Sequence, residues 1–370
     1  MVYWIVLTVG ASALSLSRLA PQDTLHVPSD VSCATCEIRL EHVATLGAGG
    51  DPVALQDYPS VAVDSHGNIY VNPTVIPGQI AMFDRTGRYL RSIGRSGRGP
   101  GEFGPRASLV IGPTDSIHVI DGARHTTLAP LLSGGSSLHT IPLSAITAIE
   151  LPDGTLLVNA IGPQDEHGYP LLHTLGPGGH IRRSFGPHIV STLQESRAEV
   201  RILAQASGVG VWAAALNTYT IQRWDTAGDL TVAMTRDADW FPPSPATSER
   251  FWEQPPKPAI GSMMEWEGLL VVAVSVADAN WKPAAIDSRA VSLDMLPEPD
   301  RLFDTVIEAI DISAGKVVSR LRVDRAVLLL TNGYAMAAGK DSDGNPTVDV
   351  WRVNMLGAGR APAHHSGRGQ

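Results

Sequence analysis

Cysteine, lysine and long apolar runs are scarce in this chain, and each shortage narrows what it can be. Cysteine occurs only at Cys33 and Cys36, so a four-cysteine zinc site is excluded. Lysine occurs only at positions 257, 282, 316 and 340, and arginine carries the rest of the positive charge. With a net charge of −9 spread over 370 residues, the composition argues against a nucleic-acid partner. Beyond the N-terminus no apolar run approaches bilayer length, which leaves no stable membrane span after it. Catalytic signatures are missing too. There is no Gly-x-Ser-x-Gly elbow and no His-Glu-x-x-His, and DSDGNPTVD (341–349) begins like a calcium loop without its length or closing Glu.

Apolar side chains, by contrast, are plentiful. They make up 44% of the residues against 18% charged, enough for an extended core. The N-terminal run from Val2 to Leu16 has the length of a signal peptide and is short for a span. Residues 1–20 are therefore read as a signal peptide or an apolar N-terminal arm, and the chain as exported, periplasmic or extracellular. Residues 21–37 form a lead-in segment, 38–355 the folded domain, and 356–370 a Gly/Pro/His/Arg-rich tail expected to be disordered.

An internal repeat sets the architecture. Six times an apolar run meets a short turn and a second apolar run: VAVDSHGNIYV (61–71), VIGPTDSIHVI (110–120), AIELPDGTLLV (148–158), ILAQASGVGVWA (202–213), MMEWEGLLVVAV (263–274) and VLLLTNGYAMAA (327–338). Gly, Asp, Asn or Ser occupies each turn, as tight hairpins require. A second hairpin follows in most units, for example IAMFDRTGRYL (80–90) and IEAIDISAGKVV (307–318). Two hairpins make a four-stranded antiparallel meander, the blade of a β-propeller. The last unit ends near WRVNM (351–355) with three strands, and its fourth is supplied by Val43–Leu46 at the other end of the chain. The expected fold is an all-β six-bladed β-propeller whose last blade is closed by an N-terminal strand.

GRSGRGPGEFGPRASLVIGPTDSIHVID (94–121) and PSVAVDSHGNIYV (59–71) resemble the NHL repeat, and the whole chain is similar to uncharacterised bacterial six-bladed propellers with an exported N-terminus. The resemblance is good over 38–190 and fades afterwards. It implies the fold and a broad class, since fold does not carry function.

In such a meander the strand 2–3 loops and the blade connections emerge on one face, where the irregular segments 94–106, 159–170, 237–259 and 277–304 collect. Long loops on a rigid scaffold commonly bind, so this face is the expected site. Its candidates are Arg95 and Arg98 for an anion, His125, His167 and His188 for a polar group near the axis, and Trp240, Trp252 and Trp281 for stacking on a sugar or peptide. Each residue has a plainer role open to it, since arginines blunt strand edges and aromatics pin loops. Glycines 94, 97, 99 and 101 suggest a phosphate cradle, but no helix stands behind them and turn geometry explains them better.

Cys33 and Cys36 are read first as a local disulfide, then as metal ligands, then as a redox pair. The function expected is an exported binding or interaction propeller for a small molecule, glycan or protein. The alternative is a metal-dependent hydrolase, lactonase-like, or a lyase at the channel mouth. Only that alternative calls for calcium or zinc, with Asp64, Glu150 and Glu265 on or near the inner strands. No metal ligands are otherwise assigned.

Overall fold

A computed structural model describes residues 24–104, 107–121, 124–128, 136–143, 145, 147–189, 200–208, 210–244, 253–283 and 299–357. The chain is a six-bladed β-propeller built of four-stranded antiparallel meanders. From the axis outward, blade 1 comprises Leu55–Val63, Ile69–Thr74, Ile80–Phe83 and Tyr89–Ile93. Blade 2 comprises Ser108–Ile111, Ile117–Asp121, Arg124–Leu128 and Ser136–Thr140. Blade 3 comprises Thr147–Glu150, Leu156–Asn159, Tyr169–Leu175 and Ile181–Ile189. Blade 4 comprises Arg201–Gln205, Val211–Ala215, Thr220–Trp224 and Leu230–Arg236. Blade 5 comprises Ala259–Trp266, Leu269–Ala277, Phe303–Asp311 and Lys316–Val323. Blade 6 takes Val327–Thr331, Tyr334–Lys340 and Pro346–Leu356, and its outer strand is Glu37–Leu46.

The second strand of every blade explains the continuous apolar runs of the sequence. Each blade packs both faces against its neighbours, so a strand in the middle of the blade is buried on both sides and loses the polar alternation of a half-exposed strand. Val211–Ala215 is buried at every position, and Val271, Val272 and Val274 are wholly inaccessible. The outer strands regain alternation, as in Lys316–Val323.

Closure is made by the two ends of the chain. Glu37–Leu46 pairs antiparallel with Pro346–Leu356, from Glu37 opposite Leu356 to Leu46 opposite Val348. The N-terminal segment reaches that position as a belt around the rim. Leu25–Val27 lies parallel to Leu230–Arg236 as a fifth strand on blade 4, and Val31 bridges Val317 on blade 5. Cys33 and Cys36 are disulfide-linked just before the closing strand.

A buried ion cluster holds this belt. Glu308, wholly inaccessible on blade 5, accepts from Arg236 (2.9 Å), Arg320 (2.6 Å) and the Tyr219 hydroxyl (2.8 Å). The same guanidinium groups donate outward to the belt, Arg236 to the carbonyls of Pro28 and Ser29 and Arg320 to that of Ser29. One carboxylate thus orders two arginines that grip the lead-in backbone, and the buried charges are all paired.

Candidate functional site

The inner strands leave an axial cavity of about 680 Å³. Its lining is about as polar as apolar, with Val63, Ile111, Ile149, Leu203, Met263 and Leu329 supplying the apolar part. These residues sit in the second half of each inner strand, and the 1–2 turns that follow (Asp64–Gly67 in blade 1, Gly112–Pro113 in blade 2, Asn332 in blade 6) form the rim. The cavity therefore opens on the face of the 1–2 turns, opposite the connecting-loop face to which the sequence directs attention.

Around this rim the carboxylates sew one blade to the next. Glu150 of blade 3 is buried and accepts from the Thr114 hydroxyl and backbone N–H of blade 2, with His118 Nε2 at 3.5 Å. Burial pushes the Glu150 carboxyl up, but the donors from His118 and Thr114 outweigh it and hold it below the ordinary carboxylate range. Glu265 of blade 5 accepts from Ser207 N (2.9 Å) and Trp212 Nε1 (2.8 Å) of blade 4. Burial again raises it and the donors, Ser207 and Trp212 foremost, bring it below its usual value. Asp115 of blade 2 takes both the N–H and the hydroxyl of Ser65 on blade 1. Asp64 instead closes its own turn, accepting from His66 N, Asn68 and Tyr70 Oη. The acids that the sequence offers as metal ligands thus already hold protein donors.

Behind Glu150 lies a histidine stack within blade 2. His118 Nδ1 and His125 Nε2 are 2.9 Å apart with rings stacked at 5.1 Å, and His139 follows 6.2 Å from His125. Thr127 Oγ1 touches both inner rings. Burial first, then the neighbouring imidazoles of His118 and His139, depress His125 to about 4, so it is neutral near pH 7. This is a correction to the sequence reading, which set His125 on the loop face: it is buried on the flank of blade 2 because it pairs across the sheet with Ile120.

The other candidates do not converge. His167 and His188 lie together, rings 5.9 Å apart, with His188 Nε2 at 2.9 Å from Asp165 Oδ2. They occupy the 2–3 loop and outer strand of blade 3, away from the axis, in keeping with the plainer reading of them as scattered surface histidines. Arg95 is held by Glu102 at 2.8 Å. The second oxygen of Glu102 accepts from the backbone N–H groups of Arg98 (2.9 Å) and Gly99 (2.8 Å). The glycine-rich loop therefore wraps its own carboxylate where a phosphate cradle was considered. Gly94, at φ +80°, has no room for a Cβ, which would meet the Phe103 ring at 2.2 Å. The Arg98 residue itself is exposed.

Trp240 packs on Tyr219 and Phe241, with the Arg320 guanidinium 5.4 Å from its ring, so it pins its loop to the belt cluster. Trp281 is half-buried and its backbone N–H caps Asp278 O at 3.1 Å. Trp252 lies outside the described residues. Sequence reasoning missed the His118–Glu150 contact, because strands of two different blades supply it and no spacing announces it.

Comparison with known proteins bears on the fold. A family described as a 6-bladed beta-propeller matches residues 55–182, from the first strand of blade 1 into blade 3. A candidate exported protein of Bacteroides fragilis superimposes with a TM-score of 0.58 at 12% identity, covering 90% of this chain and 99% of its own. Virginiamycin B lyase of Staphylococcus aureus reaches 0.46 at 10% identity, covering 85% and 99%. No curated protein matches the chain. At such identities the likeness is one of fold. Among the described residues no helix is long and apolar enough to cross a membrane.

Proposed function

We propose that this chain is an exported binding propeller that holds a small, partly apolar molecule in its axial cavity. The observation that carries the reading is the cavity itself. At about 680 Å³ it falls within the range of small-molecule sites, and its lining is divided about evenly between apolar side chains and polar groups, Ser65, His66, Arg85, Gln205, Asn332 and Tyr334 among them. Such a lining suits a small molecule that carries both apolar and polar groups. The rim carboxylates support binding over catalysis, because Glu150, Glu265 and Asp115 join neighbouring blades and Asp64 closes its own turn. Export is supported by the apolar N-terminus and by the disulfide between Cys33 and Cys36, which persists in an oxidising compartment. The NHL-like segments at 59–71 and 94–121 are in keeping with an interaction scaffold.

The test is a thermal-shift screen of the full chain against sugars, lactones, aromatic acids and short peptides, with hits measured by calorimetry. Ile111→Trp places an indole in the cavity and is expected to weaken a hit at least tenfold while leaving the melting temperature close to wild type. A hit that survives Ile111→Trp but is lost in Trp240→Ala would move the site to the connecting-loop face and overturn the proposal.

A further inference from the structure

We propose that Asp278, Asp304 and Asp324 form a calcium site at the neck of the long blade-5 insertion, separate from the axial cavity. The strands flanking that insertion end at Ala277 and resume at Phe303, so Asp278 and Asp304 stand at its two ends. Asp324 comes from the connection leaving the outer strand of the same blade. One oxygen from each carboxylate lies within 4.8 Å of the other two.

A cluster of acids alone says little, since exposed acids often sit together. What distinguishes this one is Asp304. Its side chain is only 3% exposed. Oδ2 is fully used, taking Arg322 Nε at 2.7 Å, Arg322 NH2 at 2.6 Å and Ala279 N at 3.2 Å. Oδ1 is buried and receives no protein donor. A buried carboxylate oxygen without a donor is costly, and a cation is the partner that three converging carboxylates provide for. Arg322 offsets only one of the three charges.

The donor set selects the metal. Carboxylate oxygens favour a hard cation over zinc or copper. Calcium takes carboxylate oxygens at about 2.3–2.6 Å in flexible shells, whereas magnesium demands near-ideal octahedral geometry and keeps several waters, so three converging protein carboxylates suit calcium better. The peptide carbonyls and water complete such shells ordinarily. Bound there, the ion ties both ends of the insertion to the next blade connection.

The experiment is titration of calcium chloride into chelator-treated full chain at pH 7.5, followed by calorimetry and thermal melting. One site is expected, with a Kd at or below about 1 mM, as for extracellular calcium modules. Melting should rise by about 2–4 °C near ten times Kd and fall back on adding EGTA. Asp278→Asn and Asp324→Asn should each weaken binding at least tenfold. Asp304→Asn is a poorer probe because Arg322 loses its partner, so the two more exposed variants carry the test. No heat and no melting shift at millimolar calcium would overturn the site and leave a proton shared between Asp278 and Asp304. Binding that both variants retain, or an equal response to magnesium, would overturn it as well.

Discussion

A polar side chain in this propeller sits most often where two blades meet, and its neighbour decides its charge. His125 illustrates this. Held at about 4 by burial and by the imidazoles on either side, it stays neutral in the folded chain, while in the unfolded chain it titrates near its ordinary value of 6.5. Its neutral form therefore contributes stability that is complete above about pH 6.5 and is lost as pH falls toward 4. Urea unfolding at pH 7.5 and at pH 4.5 should show wild type losing about 2–3 kcal/mol more between those conditions than His125→Asn does. Equal losses in the two proteins would mean that the histidine stack is protonated or solvated in the fold. The sequence set His125 on the loop face and could not show that it lies on a blade flank, because the flank depends on register, and one residue of slip exchanges the faces.

At the scale of elements, legibility follows burial pattern and length. The six inner hairpins could be read because each has a turn with its own chemistry between two apolar runs, and they stand where the reading put them. The closing strand could be read because its ending repeats those of other outer strands. The belt could not: a three-residue parallel strand such as Leu25–Val27 has no alternation to recognise, and its partner lies some two hundred residues away. Glu308, which secures it, reads in the sequence as one more acid on a strand. Replacing Glu308 by Gln removes the shared carboxylate of Arg236 and Arg320 and is expected to cost about 3–5 kcal/mol. Limited thermolysin digestion followed by mass spectrometry should then show faster cleavage within 24–34 than in wild type. Unchanged cleavage would assign the hold on the belt to its strand pairing alone.

For the whole molecule, the ring is the unit that matters, since each blade is covered only by its neighbours. Leu46 is wholly buried where the closing strand meets the core of blades 1 and 6. Leu46→Ala should cost about 2–5 kcal/mol. Deleting 24–46 should do more, leaving the edge of Pro346–Leu356 without its partner and giving aggregates on size exclusion instead of the wild-type peak. A soluble, fully folded deletion would show that five complete blades hold the sixth unaided. The candidate site was legible only in part at this scale. Loop length and composition pointed to the connecting-loop face, whereas the cavity is lined by the inner strands of all six blades, a property of the closed ring that no segment carries by itself.

The pairing of Glu37–Leu46 with Pro346–Leu356 also imposes an order in time. Glu37–Leu46 must wait, unpartnered, until Pro346–Leu356 has been synthesised and delivered. A chain cut short, or one still threading through a narrow passage, cannot close, whatever the state of its middle blades. Completion of the ring thereby reports that the chain has been made as far as Leu356, and a helper that shelters an open strand end would recognise copies that have not reached it by the one feature that closed copies have lost.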